Sequence, residues 1–112
     1  GGTPGAPKPP PTTGAPACAT KTGSASNISG PGIGAVTVAI KVCGGVVTAA
    51  SAGQDQSNWS NDCPITSTMS KLSSLVPANY KSNISAIHVA SCTLTSNAYQ
   101  TSLKSALAKA GL

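Results

Sequence analysis

Few side chains in this chain can do chemistry. The 112 residues contain two acids, Asp55 and Asp62, one histidine, His88, and four cysteines, Cys18, Cys43, Cys63 and Cys92. A hydrolytic triad needs a nucleophile, a histidine and an orienting acid within mutual reach. Both acids lie far from His88 in sequence, so the histidine reads as a strand residue rather than a base. Paired carboxylates for glycoside chemistry would have to be the same two acids, with no local motif around either. The residues therefore point away from an enzyme, and no catalytic residue is assigned. The cysteines show no Cys-x-x-Cys spacing, which argues against a zinc site. Two disulfides are the better reading, and they imply an oxidising, extracytoplasmic compartment.

Composition narrows the class further. Charged residues make up 8% of the chain and Phe is absent, so Ser, Thr, Gly and Ala must dominate the surface. That composition suits a secreted or cell-surface protein kept soluble by hydroxyls, some of them carrying sugar. Asn27-Ile28-Ser29, Asn58-Trp59-Ser60 and Asn83-Ile84-Ser85 each fit the N-glycosylation sequon, Asn58 best because it falls in a polar loop. The net charge of +5 comes from scattered lysines without a single arginine. Arginine supplies most bidentate recognition of phosphates and bases, so nucleic-acid binding is not expected. No transmembrane run or signal peptide is present in the sequence, and the chain is expected to begin after a cleaved signal.

The elements that must position these residues follow from periodicity. Residues 1–17 hold six prolines among Gly and Thr and form an extended arm or linker without core-forming residues. Residues 18–112 form one small α+β domain. Within it Val36, Val38, Ile40 and Val42 alternate with Thr37 and Lys41 as a half-buried strand. Gly44-Gly45 is a hairpin turn into a second strand, Val46 to Ala52. Thr20 to Ser26 is a weaker strand joined through Gly30-Pro31-Gly32. Pro64 opens a helix with an apolar stripe of Ile65, Met69, Leu72 and Leu75–Val76, and Pro77 ends it. Ile84, Ile87 and Val89 suggest a short strand. Thr95 or Ser96 caps a last helix whose stripe is Tyr99, Leu103, Leu107 and Ala110. The expected order is β-β-β-α-β-α, an antiparallel hairpin or meander packed by two helices.

The stretch Ala90-Ser91-Cys92-Thr93-Leu94-Thr95-Ser96-Asn97-Ala98-Tyr99 resembles the attachment loop of the FMN-binding domain family. That family includes the flavin-carrying domain of sodium-pumping NADH:quinone reductase peripheral subunits and related secreted modules. The hairpin Gly34–Val42 with Gly45–Thr48, and the helix beginning near Ser96, are similar to the family's in order and spacing. The resemblance covers about residues 20–112. It implies an α+β fold, with FMN joined through a phosphoester to Thr93 and its phosphate held by Thr95 and Ser96. The family pattern runs Asp, two residues, Ser or Thr, Gly, Ala, then the acceptor. This chain has Ile87, Ala90, Ser91, Cys92 and Thr93 at those places. The acceptor hydroxyl is kept, while the acid, the small hydroxyl and the glycine are not.

Four cysteines allow three pairings. If strands Cys18–Ser26 and Ala35–Cys43 pair about the turn near Gly30–Pro31, Cys18 faces Cys43 and Cys63 is left for Cys92. The second bridge would turn a cofactor loop into an anchored one. The function expected is a secreted, non-catalytic module of an extracellular assembly without a cofactor, its arm docked on a neighbouring copy as an added strand or polyproline segment. The alternative is an extracellular flavoprotein with covalent FMN on Thr93. Each implies a different partner, a second copy of the chain or an electron carrier.

Overall fold

The valine and isoleucine alternation of residues 36–42 builds the central strand of a twisted antiparallel sheet. The computed structural model describes residues 17–28, 34–55 and 63–112. Four strands, β1 (Cys18–Thr22), β2 (Ser26–Asn27), β3 (Ala35–Cys43) and β4 (Val46–Gln54), precede two helices, α1 (Ile65–Asn79) and α2 (Thr93–Lys109). β3 lies in the middle, with β4 on one side and both β1 and β2 on the other. Gly44 and Gly45 join β3 to β4 with φ of 60° and 81°, the pair of left-handed residues that a two-residue hairpin requires. The arm, the turn at Gly30–Pro31 and the loop with Asn58 and Trp59 lie outside the described residues, apart from Ala17 at the arm's end.

β1 and β2 together make one edge strand with a break. Thr22 faces Ala39 and Ser26 faces Val36, so three residues, Gly23 to Ala25, oppose two on β3. The extra residue is a bulge, and α2 fills it. The Val38 N–H, which an unbroken strand would have received, donates instead to Ser102 Oγ at 2.9 Å. Gly23 N–H donates to the Val38 carbonyl at 2.8 Å. Ser24 N–H donates to Ser105 Oγ at 2.9 Å, and Lys109 Nζ donates to the Thr22 carbonyl at 3.0 Å. The weaker strand expected over 20–26 is thus interrupted, because a helix takes the place of part of its ladder.

Both helices cover one face of the sheet. Val36, Val38, Ile40 and Val47 point into the core and meet Met69, Leu72 and Val76 from α1 and Tyr99, Leu103, Ala106 and Leu107 from α2. Each large aliphatic side chain removed from water here contributes about 1.5–3 kcal/mol. The apolar stripe of α2 is widened by small residues, Ser96, Ala98, Ser102 and Ala106, which let its backbone come close to the sheet. Inside that layer Tyr99 Oη shares a 2.8 Å hydrogen bond with Ser73 Oγ, linking the two helices.

Three expectations from the sequence need correction. Pro77 does not end α1, which runs on to Asn79. The proline removes one backbone donor, but the last turn is held by Tyr80 N–H on the Val76 carbonyl at 3.0 Å and Asn79 Nδ2 on the Leu75 carbonyl at 2.8 Å. Buried Tyr80 then anchors the end, its hydroxyl accepting from Val47 N–H at 3.2 Å. Residues 84–89 are not a strand. Ile84–Ala86 form a single 3-10 turn that leads Ile87 into the core, so the apolar spacing is satisfied without any sheet partner. Finally, α2 starts at Thr93, ahead of the expected cap at Thr95 or Ser96, with Cys92 in the cap position.

The tight seat of α2 sets a first prediction. A Cβ on Gly23 would fall on the Ser102 carbonyl oxygen and within 2.9 Å of the Ala106 nitrogen, both backbone atoms. Gly23→Ala should therefore cost about 1–3 kcal/mol or more, read as a lower denaturant midpoint with both disulfides intact. A second concerns alkali. Burial pushes the Tyr99 phenol from 10.0 up to about 12, against a smaller opposing effect of its Ser73 hydrogen bond. The folded state keeps that proton where the unfolded chain has lost it, so stability present below pH 10 falls as pH rises from about 10 towards 12. Midpoints at about pH 9 and about pH 11.5 should separate less in Tyr99→Phe than in the parent; equal separation would mean that Tyr99 is not the group responsible.

Candidate functional site

The loop ahead of α2 is the part of the molecule in which sequence places chemistry. Ile87 enters the core completely, and the chain then turns back at Val89–Cys92 to start the helix. Cys92 N–H donates to the Val89 carbonyl at 2.8 Å, closing the turn. Two side chains of α2 reach back to hold it. Ser96 Oγ accepts from Val89 N–H at 3.0 Å, and Gln100 Nε2 donates to the Ile87 carbonyl at 3.0 Å. The role of Gln100 was not apparent in the sequence, because a polar residue in an exposed-looking helical position carries no signal of the carbonyl it will meet.

Disulfides join Cys18 to Cys43 and Cys63 to Cys92, with Cα separations of 4.0 and 5.5 Å. The first pairs residues directly opposite in the β1–β3 ladder, as the hairpin argument requires. The second is buried and ties the start of α1 to the start of α2. Thr68 Oγ1, also buried, lies 3.7 Å from Cys92 Sγ and donates to the bridged sulfur. Neither helix has an acidic residue in its first turn. Two positive helix ends therefore sit side by side, held together by a covalent link.

The three hydroxyls assigned to a flavin phosphate separate here. Thr93 is exposed at the first position of α2. Thr95 and Ser96 are buried, at 1% and 0% exposure. Ser96 is occupied by the Val89 N–H, so it braces the loop rather than facing a ligand. Thr95 Oγ1 is the one buried side-chain oxygen or nitrogen without a hydrogen-bond partner among the described residues. The expectation that both donate to a phosphate on Thr93 is corrected for this reason: helix periodicity turns positions 95 and 96 towards the core once the helix begins at 93.

A flavin needs more than a phosphate seat. Exposed Thr93 and the N–H groups of the first turn fit the phosphate end. The isoalloxazine ring finds no stacking partner among the described residues, since Tyr80 and Tyr99 are both buried in the core. The position at which the family carries an acid is Ile87, sealed at 0% exposure. These residues fit a bound anion and do not fit the ring. Among the described residues no group of three or more His, Cys, Asp or Glu side chains is placed to hold a metal. His88 is half-buried in the loop beyond the 3-10 turn rather than in a strand.

Of the asparagines in sequons, Asn83 is the one whose geometry is complete. Asn83 and Ser85 are both exposed, and Ser85 Oγ donates to Asn83 Oδ1 at 3.2 Å. Asn27 lies in β2 opposite Ala35, with Ser29 of its sequon outside the described residues. Asn58 lies outside them altogether. No protein-family model matches the chain, and no curated protein sequence matches it.

The Cys63–Cys92 bridge closes a loop of 29 residues. Restricting the unfolded chain over that length is worth roughly 3–4 kcal/mol. The double variant Cys63→Ala/Cys92→Ala should lose about that much in denaturant unfolding. Amide exchange should accelerate first at Val89 to Cys92. Unchanged exchange there would mean that Ser96 and Gln100 hold the loop alone.

Proposed function

We propose that this chain is an extracytoplasmic, non-catalytic interaction module on an FMN-binding-like fold, in which the ancestral attachment loop has become a structural anchor. The observation that carries the reading is the Cys63–Cys92 bridge set into that loop, with Ile87 and Ser96 turned inward around it. A loop so filled holds two helix ends together and leaves one exposed hydroxyl, Thr93, where a cofactor loop would present several groups. Two disulfides suit an oxidising compartment. No helix among the described residues is long and apolar enough to cross a membrane.

The partner on this reading is a second copy. β4 pairs only with β3 among the described residues, so its far edge offers backbone donors and acceptors to an added extended segment. The arm of residues 1–17 is the segment proposed to meet it. Such a head-to-tail contact propagates as a filament when its rotation does not close into a ring. Sugar, where the producing cell attaches it, goes to Asn83.

A second reading rests on one observation, Thr93 exposed at the first position of α2, where the first-turn N–H groups favour a phosphate. That placement favours FMN esterified to Thr93. Intact mass of the native protein, with sedimentation of the full chain and of a chain lacking residues 1–16, separates the two. The expected result is a mass with two disulfides and no flavin, and an assembly lost with the arm. A mass excess of FMN that vanishes in Thr93→Ala would establish the flavoprotein instead. A monomer unchanged by arm deletion would end the assembly proposal.

A further inference from the structure

The two disulfides stand in opposite surroundings. Cys63 and Cys92 are buried between the helix starts, at 4% and 2% exposure. Cys18 is exposed and Cys43 half-buried, beside the Gly44-Gly45 turn. Thiol–disulfide exchange requires a thiolate to reach one of the sulfurs. A reductant therefore meets the Cys18–Cys43 bridge first.

What that bridge fastens is β1. All five residues of β1 are exposed, and none joins the core. The strand is kept in place by its ladder to β3, by Gly44 N–H donating to the Ala17 carbonyl at 3.2 Å, and by the bridge. Hydrogen bonds in contact with water contribute little each, and a strand that buries no side chain gains little to offset the entropy of ordering it. Such a segment opens locally once its tether is gone. Its other end is fixed differently. Gly23 is buried against α2 with no room for a Cβ, and its N–H is bound to the Val38 carbonyl at 2.8 Å. β1 is thus pinned at Gly23 and fastened at Cys18.

We propose that Cys18–Cys43 is a thiol-reducible latch, whose reduction releases β1 as a flap hinged at Gly23 while the rest of the domain stays folded. The reductant is a dithiol. One of its thiolates attacks Cys18 Sγ, the Cys18–Cys43 bond breaks, and Cys43 leaves as a thiolate that takes up a proton. The second thiol of the reductant then displaces Cys18 from the mixed disulfide. The dithiol ends as a disulfide, and two electrons and two protons have passed to the protein. Thr48 Oγ1, 3.5 Å from Cys43 Sγ, is within reach of the departing thiolate. Opening uncovers the edge of β3 from Ala39 to Cys43, which β1 covers in the closed form. The Cys63–Cys92 bridge and the packing of both helices on β3 and β4 hold what remains. Because residues 1–17 precede β1, the latch also governs where they leave the domain.

The test treats the native full chain with dithiothreitol in the absence of denaturant, traps free thiols with iodoacetamide at intervals, and maps them by mass. Cys18 and Cys43 should be alkylated at least about tenfold sooner than Cys63 and Cys92. In protein reduced at Cys18 and Cys43 alone, amide exchange should quicken about tenfold or more over residues 19–22 and stay unchanged in α1 and α2. Cys18→Ser/Cys43→Ser should show the same faster exchange without reductant, with the helical circular dichroism of the parent. Alkylation of Cys63 and Cys92 first, or together with the other pair, would overturn the proposal. So would unchanged exchange over 19–22 after selective reduction, since β1 would then hold itself. Loss of the helical signal on reducing Cys18–Cys43 alone would also overturn it, because the bridge would be securing the whole fold rather than one strand.

Discussion

The insertion of α2 into the break in the edge strand is the contact on which the rest of the structure depends. A buried backbone N–H without a partner costs about as much as several buried methylene groups gain. Val38 sits at the centre of the sheet, and its N–H would be such a group where the strand departs at Gly23. Ser102 supplies the missing acceptor, and Gly23, lacking a side chain, lets the helix backbone come near enough for that bond. Ser105 and Lys109 then satisfy Ser24 and Thr22 from the same helix. One face of α2 acts as a strand neighbour and a core wall together. Its position over β3 then fixes where the loop before it must lie.

Small hydroxyl residues do much of this work because the chain has so little else. With no Phe and few charges, core volume is supplied by aliphatic residues and two tyrosines, and polarity by Ser and Thr. Serines inside a helix face are ordinarily neutral or unfavourable, since they compete for backbone bonds. Here Ser96, Ser102 and Ser73 each meet a specific buried partner, Val89 N–H, Val38 N–H and Tyr99 Oη, which converts a weak helix former into a positioning contact. Thr95 is the exception, buried with no hydrogen-bond partner for its hydroxyl among the described residues. The bridge at Cys92 and the fully buried Ile87 fix the loop between them.

The two helices give the domain a chemical polarity. Their starts are drawn together by a covalent bond, with no acidic residue in either first turn to offset the dipoles. Their ends lie about an apolar groove lined by Tyr80, Ile84, Leu107 and Leu112, with Lys81 and Lys104 beside it. The dipoles favour anions at the starts and cations at the ends, where these lysines stand. The sheet faces the other way and offers the edge of β4. The helix starts and the edge of β4 are separate parts of the domain.

Much of the architecture was legible from local pattern. Alternation over Val36–Val42, the Gly44-Gly45 pair and the helical stripes beginning at Ile65 and Tyr99 placed the hairpin, both helices and the α+β class. The hairpin register also led to the cysteine pairing, since facing residues in a ladder follow from the turn. What the sequence could not carry were choices made between elements distant in the chain. Pro77 stays inside α1 because Tyr80 finds Val47 across the fold. Residues 84–89 turn instead of pairing because the core takes Ile87 and a 3-10 turn delivers it there. Thr95 and Ser96, read as ligand groups, face inward because the helix starts three or four residues earlier than their own capping tendency suggests. By itself the sequence determined the period of each element and the cysteine framework, which depend on neighbours a few residues apart. Tertiary structure alone decided which hydroxyl faces water and which braces the core, because that depends on where another element's unpaired N–H happens to stand.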